Sequence, residues 1–94
     1  MPEKRFEISW PNGDQESCYS PSSIIERYLH EGETYSLEQF VNLTDKALNI
    51  ASNRVQEKYG FSCSSAMDQL HRIKQTALKF EAQADAQVTV HKIN

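Results

Sequence analysis

The chain is short and mildly acidic, with 94 residues, thirteen Asp and Glu, ten Lys and Arg, and a net charge of −3. A chain of this length is expected to form one domain with a thin core, since it buries only about 60–65% of the surface exposed on unfolding. The basic residues are scattered singly, which argues against nucleic-acid binding. No apolar stretch approaches the roughly 18 residues of a membrane-spanning helix. We therefore expect a single domain over residues 1–94 that binds neither nucleic acid nor a membrane.

The N-terminus, Met-Pro-Glu-Lys-Arg-Phe, lacks the apolar region of a signal peptide. This favours a cytoplasmic location. In a reducing cytoplasm Cys18 and Cys63 are most simply free thiols, and a disulfide between them is the less favoured alternative.

The first predicted element is a β-hairpin. Apolar and polar residues alternate from Lys4 to Trp10, which is typical of a half-buried strand. The turn sequence Pro11-Asn12-Gly13 follows, and a second strand should run to about Tyr19. A three-residue loop would place Cys18 opposite Phe6 on the buried face, whereas a two-residue loop would place Tyr19 there.

A short helix is predicted after the hairpin. Ser20 and Pro21 match an N-cap followed by proline at the first helical position. Gly32 is expected to end this helix, and a loop should lead to Tyr35.

The longest predicted element is a helix from Ser36 to Gly60, because apolar residues recur at spacings of three and four from Leu37 to Tyr59. Ser36 and Gln39 have capping-box spacing, and Gly60 suits a left-handed C-cap. A helix of this length extends about 34 Å, so it either spans the whole molecule or bends near Thr44. Its apolar side is expected to lie in the core.

A third helix should begin between Ser62 and Ser65 and fade between Gln83 and Asp85. Its predicted apolar face comprises Cys63, Ala66, Met67, Leu70, Ile73, Ala77 and Phe80. Residues 87–93 alternate as a closing strand. The predicted fold class is α+β: an N-terminal β-hairpin, a short helix, two long antiparallel helices, and a C-terminal strand that completes a small, mostly antiparallel sheet.

No catalytic, cofactor-binding or metal site is predicted. The cysteines and histidines lack the spacing of structural zinc sites, and three isolated glycines cannot build a phosphate-binding loop. Cys63 lies near a helix N-terminus, which lowers a thiol pKa, yet it also continues an apolar stripe. A packing role is favoured over a nucleophile, so the sequence leans towards a protein without catalytic activity.

The polar side of the long helix is rich in amides. Amide and hydroxyl side chains are weaker helix formers than Lys or Glu, so helix propensity does not explain the stripe. Its members are Asn42, Asn49, Ser52, Asn53 and Gln56. A solvent-facing side under no constraint is one interpretation, and a contact with a protein partner or a second copy is the other.

The residues around the end of this helix are the second set that we predict to bind. Tyr59, Phe61 and Cys63 would form a pocket at the junction with the third helix. Cys18 is a further candidate, and whether it lies close to Cys63 in space is left open.

Several segments resemble a bacterial family of nitrogen-starvation response proteins associated with nitrilase-containing gene clusters. The resembling segments are Met1-Pro2-Glu3 with Arg5-Phe6, Trp10-Pro11-Asn12-Gly13, Cys18-Tyr19-Ser20-Pro21-Ser22, Ile50-Ala51-Ser52-Asn53-Arg54-Val55 and Lys58-Tyr59-Gly60-Phe61-Ser62-Cys63-Ser64. The Cys-Tyr-Ser-Pro-Ser and Tyr-Gly-Phe-x-Cys-Ser segments are the most specific, and the part from Lys74 onward carries little of the pattern.

The resemblance implies a cytoplasmic protein expressed under nitrogen limitation, in a pathway that includes enzymes. It assigns no catalytic residue to this chain. The leading hypothesis is a non-enzymatic accessory or protein-interaction domain, without a cofactor, that contacts a protein partner or itself as a homodimer. The alternative is a small enzyme or ligand-binding domain that uses Cys63, with or without Cys18.

Overall fold

The structure is a computed structural model, and it describes residues 3–60 and 64–94. In chain order its elements are β1 Lys4–Ser9, β2 Gln15–Ser20, α1 Ile25–Tyr28, β3 Thr34–Ser36, α2 Leu37–Tyr59, α3 Ser64–Leu78 and β4 Gln87–Ile93. The four strands form one sheet in the order β2-β1-β4-β3, and each neighbouring pair is antiparallel. The predicted α+β class, with a hairpin at one end and a closing C-terminal strand, is confirmed.

The hairpin has the three-residue loop. Phe6 is opposite Cys18, and the Trp10 N–H donates to the Asp14 carbonyl at 2.7 Å. Gly13 has a φ of 91°, a left-handed conformation that other residues adopt only with strain. Of the two registers, the one that buries Cys18 is therefore correct.

The sheet has one buried and one exposed face. The buried face carries fully enclosed side chains from three strands, namely Phe6, Ile8, Cys18, Val88 and Val90. The residues that alternate with them, such as Arg5, Glu7 and Ser17, are exposed. This separation follows from the two-residue period of a strand.

The two longer helices pack against each other as the predicted antiparallel pair. Asp45 of α2 and Lys74 of α3 form an ion pair at 3.1 Å, while the chain joins the end of α2 to the start of α3 at the opposite end. One core cluster unites both helices with the buried face of the sheet.

Helix α2 runs unbroken through its 23 residues. At about 1.5 Å per residue it is too long for the two shorter dimensions of the molecule, 23 and 17 Å, so it lies along the 41 Å dimension. Of the two predicted alternatives, a helix that spans the molecule and a helix that bends near Thr44, the first is therefore correct. Both predicted ends are confirmed: Ser36 Oγ accepts from the Gln39 N–H at 3.2 Å, and Gly60 is left-handed with a φ of 82°.

The predicted start of the first helix is wrong. Ser20 ends β2, and α1 begins only at Ile25, with no side-chain cap. The Ser20 hydroxyl instead donates to the Ser22 carbonyl at 2.7 Å, and Ser22 Oγ accepts from the Ile24 N–H at 3.3 Å. Serine hydroxyls bond to nearby backbone groups in turns as readily as at caps, so the same sequence pattern holds a turn here.

The predicted end of that helix is also wrong, and one strand was missed. The helix ends at Tyr28, and Gly32 lies in the following turn, where its N–H donates to the Val90 carbonyl at 2.7 Å. Strand β3 then pairs with β4. A three-residue strand is too short to display alternation, and its partner lies about fifty residues further along the chain.

The predicted extent of the core along α2 and the predicted end of α3 both need correction. Near the end of α2, Val55 is only half-buried and the Tyr59 side chain is 54% exposed, so the core side of the helix stops earlier. Helix α3 ends at Leu78 and does not continue to between Gln83 and Asp85 as predicted. Phe80 still packs against the core as predicted, because the turns that follow the helix place its ring against Trp10. Cys63, the first residue of the predicted apolar face, lies outside the described residues.

Candidate functional site

The predicted amide residues lie on one exposed side of α2. Asn42, Asn49 and Gln56 are seven residues apart, which turns a helix only about 20° per step. All three are exposed, and so is Asn53 beside them. Ser52, predicted to share this stripe, is instead buried with 5% exposure. The exposed stripe is therefore Asn42, Asn49, Asn53 and Gln56, which we call the amide stripe.

Within the amide stripe, Asn49 is held in place by its own helix. Its Nδ2 donates to the Asp45 carbonyl at 2.7 Å and to Asp45 Oδ1 at 2.5 Å. Because Asp45 also pairs with Lys74 of α3, the amide is linked to the packing of the two helices. The stripe therefore presents at least one amide in a fixed orientation.

The C-terminal end of α2 presents an exposed aromatic ring. Among the residues that the structure describes, Tyr59 is one of two large apolar side chains with 54% exposure, and the Lys58 ammonium lies 5.6 Å from its ring centroid. Phe61 and Cys63 lie outside the described residues, so the pocket predicted at this junction stays a prediction.

Cys18 lies apart from the amide stripe, in the core beneath the sheet. Its side chain is fully buried, and Sγ donates to Glu16 Oε2 at 3.7 Å. Burial, and secondarily the Glu16 carboxylate, raises the pKa of the Cys18 thiol far above its ordinary value. A neutral, enclosed thiol is a poor nucleophile, so Cys18 serves packing.

A groove lies between the first turns of α2 and the last turns of α3. It has a volume of about 810 Å³, and Asn42 is the one residue of the amide stripe that lines it. Leu78, the other large apolar side chain with 54% exposure, also lines the groove together with Val41 and Ala77. Sequence reasoning did not single out Leu78, although it lies next to Ala77 of the apolar face.

A second cavity, of about 370 Å³, lies where the outer edge of β2 meets the first turns of α3. Its lining is polar and consists of Arg5, Ser17, Tyr19, Ser65, Asp68, Gln69 and Arg72. Gln69 is 8% exposed, and its Oε1 accepts from the Tyr19 N–H at 3.0 Å, so it closes part of the sheet edge. Gln69 was not among the predicted site residues, although its spacing from Ala66 and Ile73 puts it on the buried side of α3.

The part of the chain that the structure describes also bears on metal binding and on membrane insertion. There, no three His, Cys, Asp or Glu side chains are grouped so that they could hold a metal ion. Across the same residues, no helix combines the length and apolarity needed to cross a membrane.

The fold defines a two-layer α+β protein, in which two antiparallel helices cover one face of a four-stranded antiparallel sheet. The sequence model of the family described as nitrogen starvation-induced protein NitG matches residues 5–93. The chain belongs to this NitG family. No curated protein and no solved structure matches the chain.

Proposed function

We propose that this NitG family member is a non-enzymatic protein-interaction domain that acts in the bacterial cytoplasm during nitrogen starvation. Its contact surface is the amide stripe, and its occupant is a second copy of the same chain. The observation that carries the proposal is the exposure of Asn42, Asn49, Asn53 and Gln56 along one side of a helix whose other side anchors the core.

The chemistry of the amide stripe suits a self-contact. Amide side chains carry both donors and an acceptor. Asn49 directs its donors at Asp45 and so offers its acceptor oxygen, while Asn42 and Asn53 can donate, so two copies of one stripe can pair across a two-fold axis. The stripe itself carries no charge, which limits the repulsion between two chains of net charge −3. A regular seven-residue spacing also gives two such helices matching positions along their length.

The alternative function, a small enzyme that uses a cysteine, has less support. The raised pKa and full burial of Cys18 remove it as a nucleophile. Cys63 remains a prediction of the sequence alone. Slow native labelling of a Cys18→Ala variant by a thiol reagent, becoming fast only in denaturant, would eliminate the enzyme hypothesis.

A site-specific crosslink tests the proposed contact. A photo-crosslinking amino acid replaces Asn53 in the full chain, and a matched variant carries it at Gln75, an exposed amide residue on α3. Illumination in nitrogen-starved cells should give an adduct of twice the chain mass for position 53 and little for position 75. An adduct of another mass would show that a different protein, and not a second copy of the chain, contacts the amide stripe.

Substitutions provide the matching solution measurement. Light scattering should detect the proposed dimer of the original chain. Asn49→Lys combined with Gln56→Lys places two like charges in each copy of the stripe and should dissociate that dimer. Gln75→Lys is the control and should leave the dimer intact. A chain that is monomeric at all concentrations, with no adduct specific to position 53, would overturn the proposal.

A further inference from the structure

The cavity between the edge of β2 and the first turns of α3 is lined by several side chains that can donate hydrogen bonds. Four of its lining residues, Ser65, Asp68, Gln69 and Arg72, are spaced at three- and four-residue intervals and so share one side of α3. The sheet contributes Arg5 and Tyr19, which are paired across β1 and β2. Helix α3 and the two strands of the hairpin therefore line the cavity together.

The side-chain amide nitrogen of Gln69 lacks a hydrogen-bond acceptor among the described residues. Oε1 of the same side chain is fixed by the Tyr19 N–H, whereas Nε2 is buried without a hydrogen-bond partner among the described residues. A buried donor left in this state destabilises the folded protein, and native proteins rarely leave one. An acceptor oxygen supplied from outside the chain would remove this destabilisation.

The charges around the cavity specify the kind of acceptor. Arg5 and Arg72 bring two guanidinium groups, and within residues 3–60 and 64–94 neither forms an ion pair. The Arg5 guanidinium lies 5.8 Å from the Tyr19 ring centroid, which restricts its position. A guanidinium is suited to the two oxygens of a carboxylate or phosphate.

The negative charge of Asp68 favours a carboxylate over a phosphate as the ligand. Asp68 is the one carboxylate in the lining, so two positive charges face one negative charge. A singly charged ligand balances that lining, whereas a phosphate that carries up to two charges would be repelled by Asp68. The cavity volume also suits a small molecule better than a polymer.

We propose that this cavity binds a small, singly charged carboxylate, whose oxygens accept hydrogen bonds from Arg5, Arg72 and Gln69 Nε2. The site is separate from the amide stripe on α2. An experiment can therefore disprove carboxylate binding without affecting the proposed self-contact, and the reverse.

Titration followed by NMR tests the site directly. Butyrate and glutamate are the carboxylate probes, inorganic phosphate is the alternative oxyanion, and sodium chloride controls for ionic strength. Both carboxylates should shift the side-chain amide resonances of Gln69 saturably. No saturable shift up to roughly 20 mM carboxylate would overturn the proposal, since two charged contacts should give a Kd in the millimolar range or below.

Three variants give the site its residue-level test. Arg72→Gln, at an exposed position, should weaken carboxylate binding at least about tenfold, because a hydrogen bond to a charged group contributes about 1.5–3 kcal/mol. Gln69→Glu keeps an acceptor for Tyr19 but replaces the donor with a negative charge, so binding should be lost. Arg27→Gln, on α1, is the matched control and should bind like the original chain.

Two other outcomes count against the site. A shift with phosphate but not with the carboxylates would overturn the assigned ligand class. Equal binding by the Arg72→Gln and Arg27→Gln variants would show that the carboxylate binds elsewhere. Circular dichroism checks that the Gln69→Glu variant folds. If it does not fold, the Arg72→Gln variant still tests the site, because Arg72 is exposed and its replacement should leave the fold intact.

Discussion

At the scale of single residues, burial decides the chemistry of Cys18. The same thiol on an exposed loop would titrate near pH 8.5, but here it lies beside Phe6 in the core. The hydrogen bond to Glu16 adds to this effect, because the carboxylate disfavours a second negative charge nearby. Burial thus makes the Cys18 thiol an unreactive packing group, whereas an exposed thiol would be reactive.

This raised pKa predicts a dependence of stability on pH. Above about pH 8.5 the unfolded thiol loses its proton while the native thiol keeps it, so the unfolded state binds fewer protons. The stabilisation is fully present below that pH and is lost as pH rises further. In a Cys63→Ser background, the free energy of unfolding should fall by about 1.4 kcal/mol per pH unit more steeply with Cys18 than with Cys18→Ala.

Urea unfolding at several pH values between about 8 and 10 measures this difference. The Cys18→Ala variant carries the same Lys and Tyr residues, so their titration cancels in the comparison. Parallel pH profiles for the two chains would contradict the burial of an un-ionised thiol.

Single residues also show how far the sequence could predict the site. The exposure of the four amides followed from helical periodicity, because the side opposite an apolar stripe faces solvent. The orientation of Cys18 stayed open until the loop length was known. Ser52 was misplaced, since a small hydroxyl side chain fits a helix contact as easily as solvent. The partner of Gln69 is a backbone N–H some fifty residues away, and no local pattern records it.

At the scale of elements, local interactions were predictable and distant ones were not. The cap of α2 depends on residues three apart, and both of its ends lie where the sequence placed them. The start of α1 depended on whether Ser20 would join β2, which is decided by pairing with Lys4. Strand β3 exists because β4 lies beside it, so its own three residues could not predict it.

The N-cap of α2 gives a prediction at this scale. Ser36→Ala removes the oxygen that accepts from the Gln39 N–H and should lower the free energy of unfolding by about 1 kcal/mol. Ser36→Asp keeps an acceptor and adds negative charge at a helix N-terminus, so its stability should lie within about 0.5 kcal/mol of the original. Urea denaturation measures both, and equal losses in the two variants would mean that the cap contributes little.

At the scale of the molecule, an aromatic cluster joins parts that are distant in sequence. Trp10, at the end of the hairpin, meets the Phe40 ring of α2 at 5.8 Å, edge to face. It also stacks on Phe80, beyond the end of α3, with ring centroids 6.1 Å apart. Since Trp10 is only 3% exposed, these contacts couple the sheet to both helices. We expect the chain to unfold as one cooperative unit.

Trp10 is the sole tryptophan of the chain, so its fluorescence reports on that cluster and measures whether unfolding is cooperative. Trp10 emission should shift to longer wavelength on unfolding, and the fluorescence transition should coincide with the loss of helical circular dichroism. Phe80→Ala removes the stacked ring and should lower the free energy of unfolding by about 2–3 kcal/mol, less than for a fully buried phenylalanine. Leu78→Ala, at an exposed neighbouring position, is the control and should cost well under about 1 kcal/mol. If the two probes gave separate midpoints in the original chain, the hairpin and the helices would be independent units, and the cluster would not couple them.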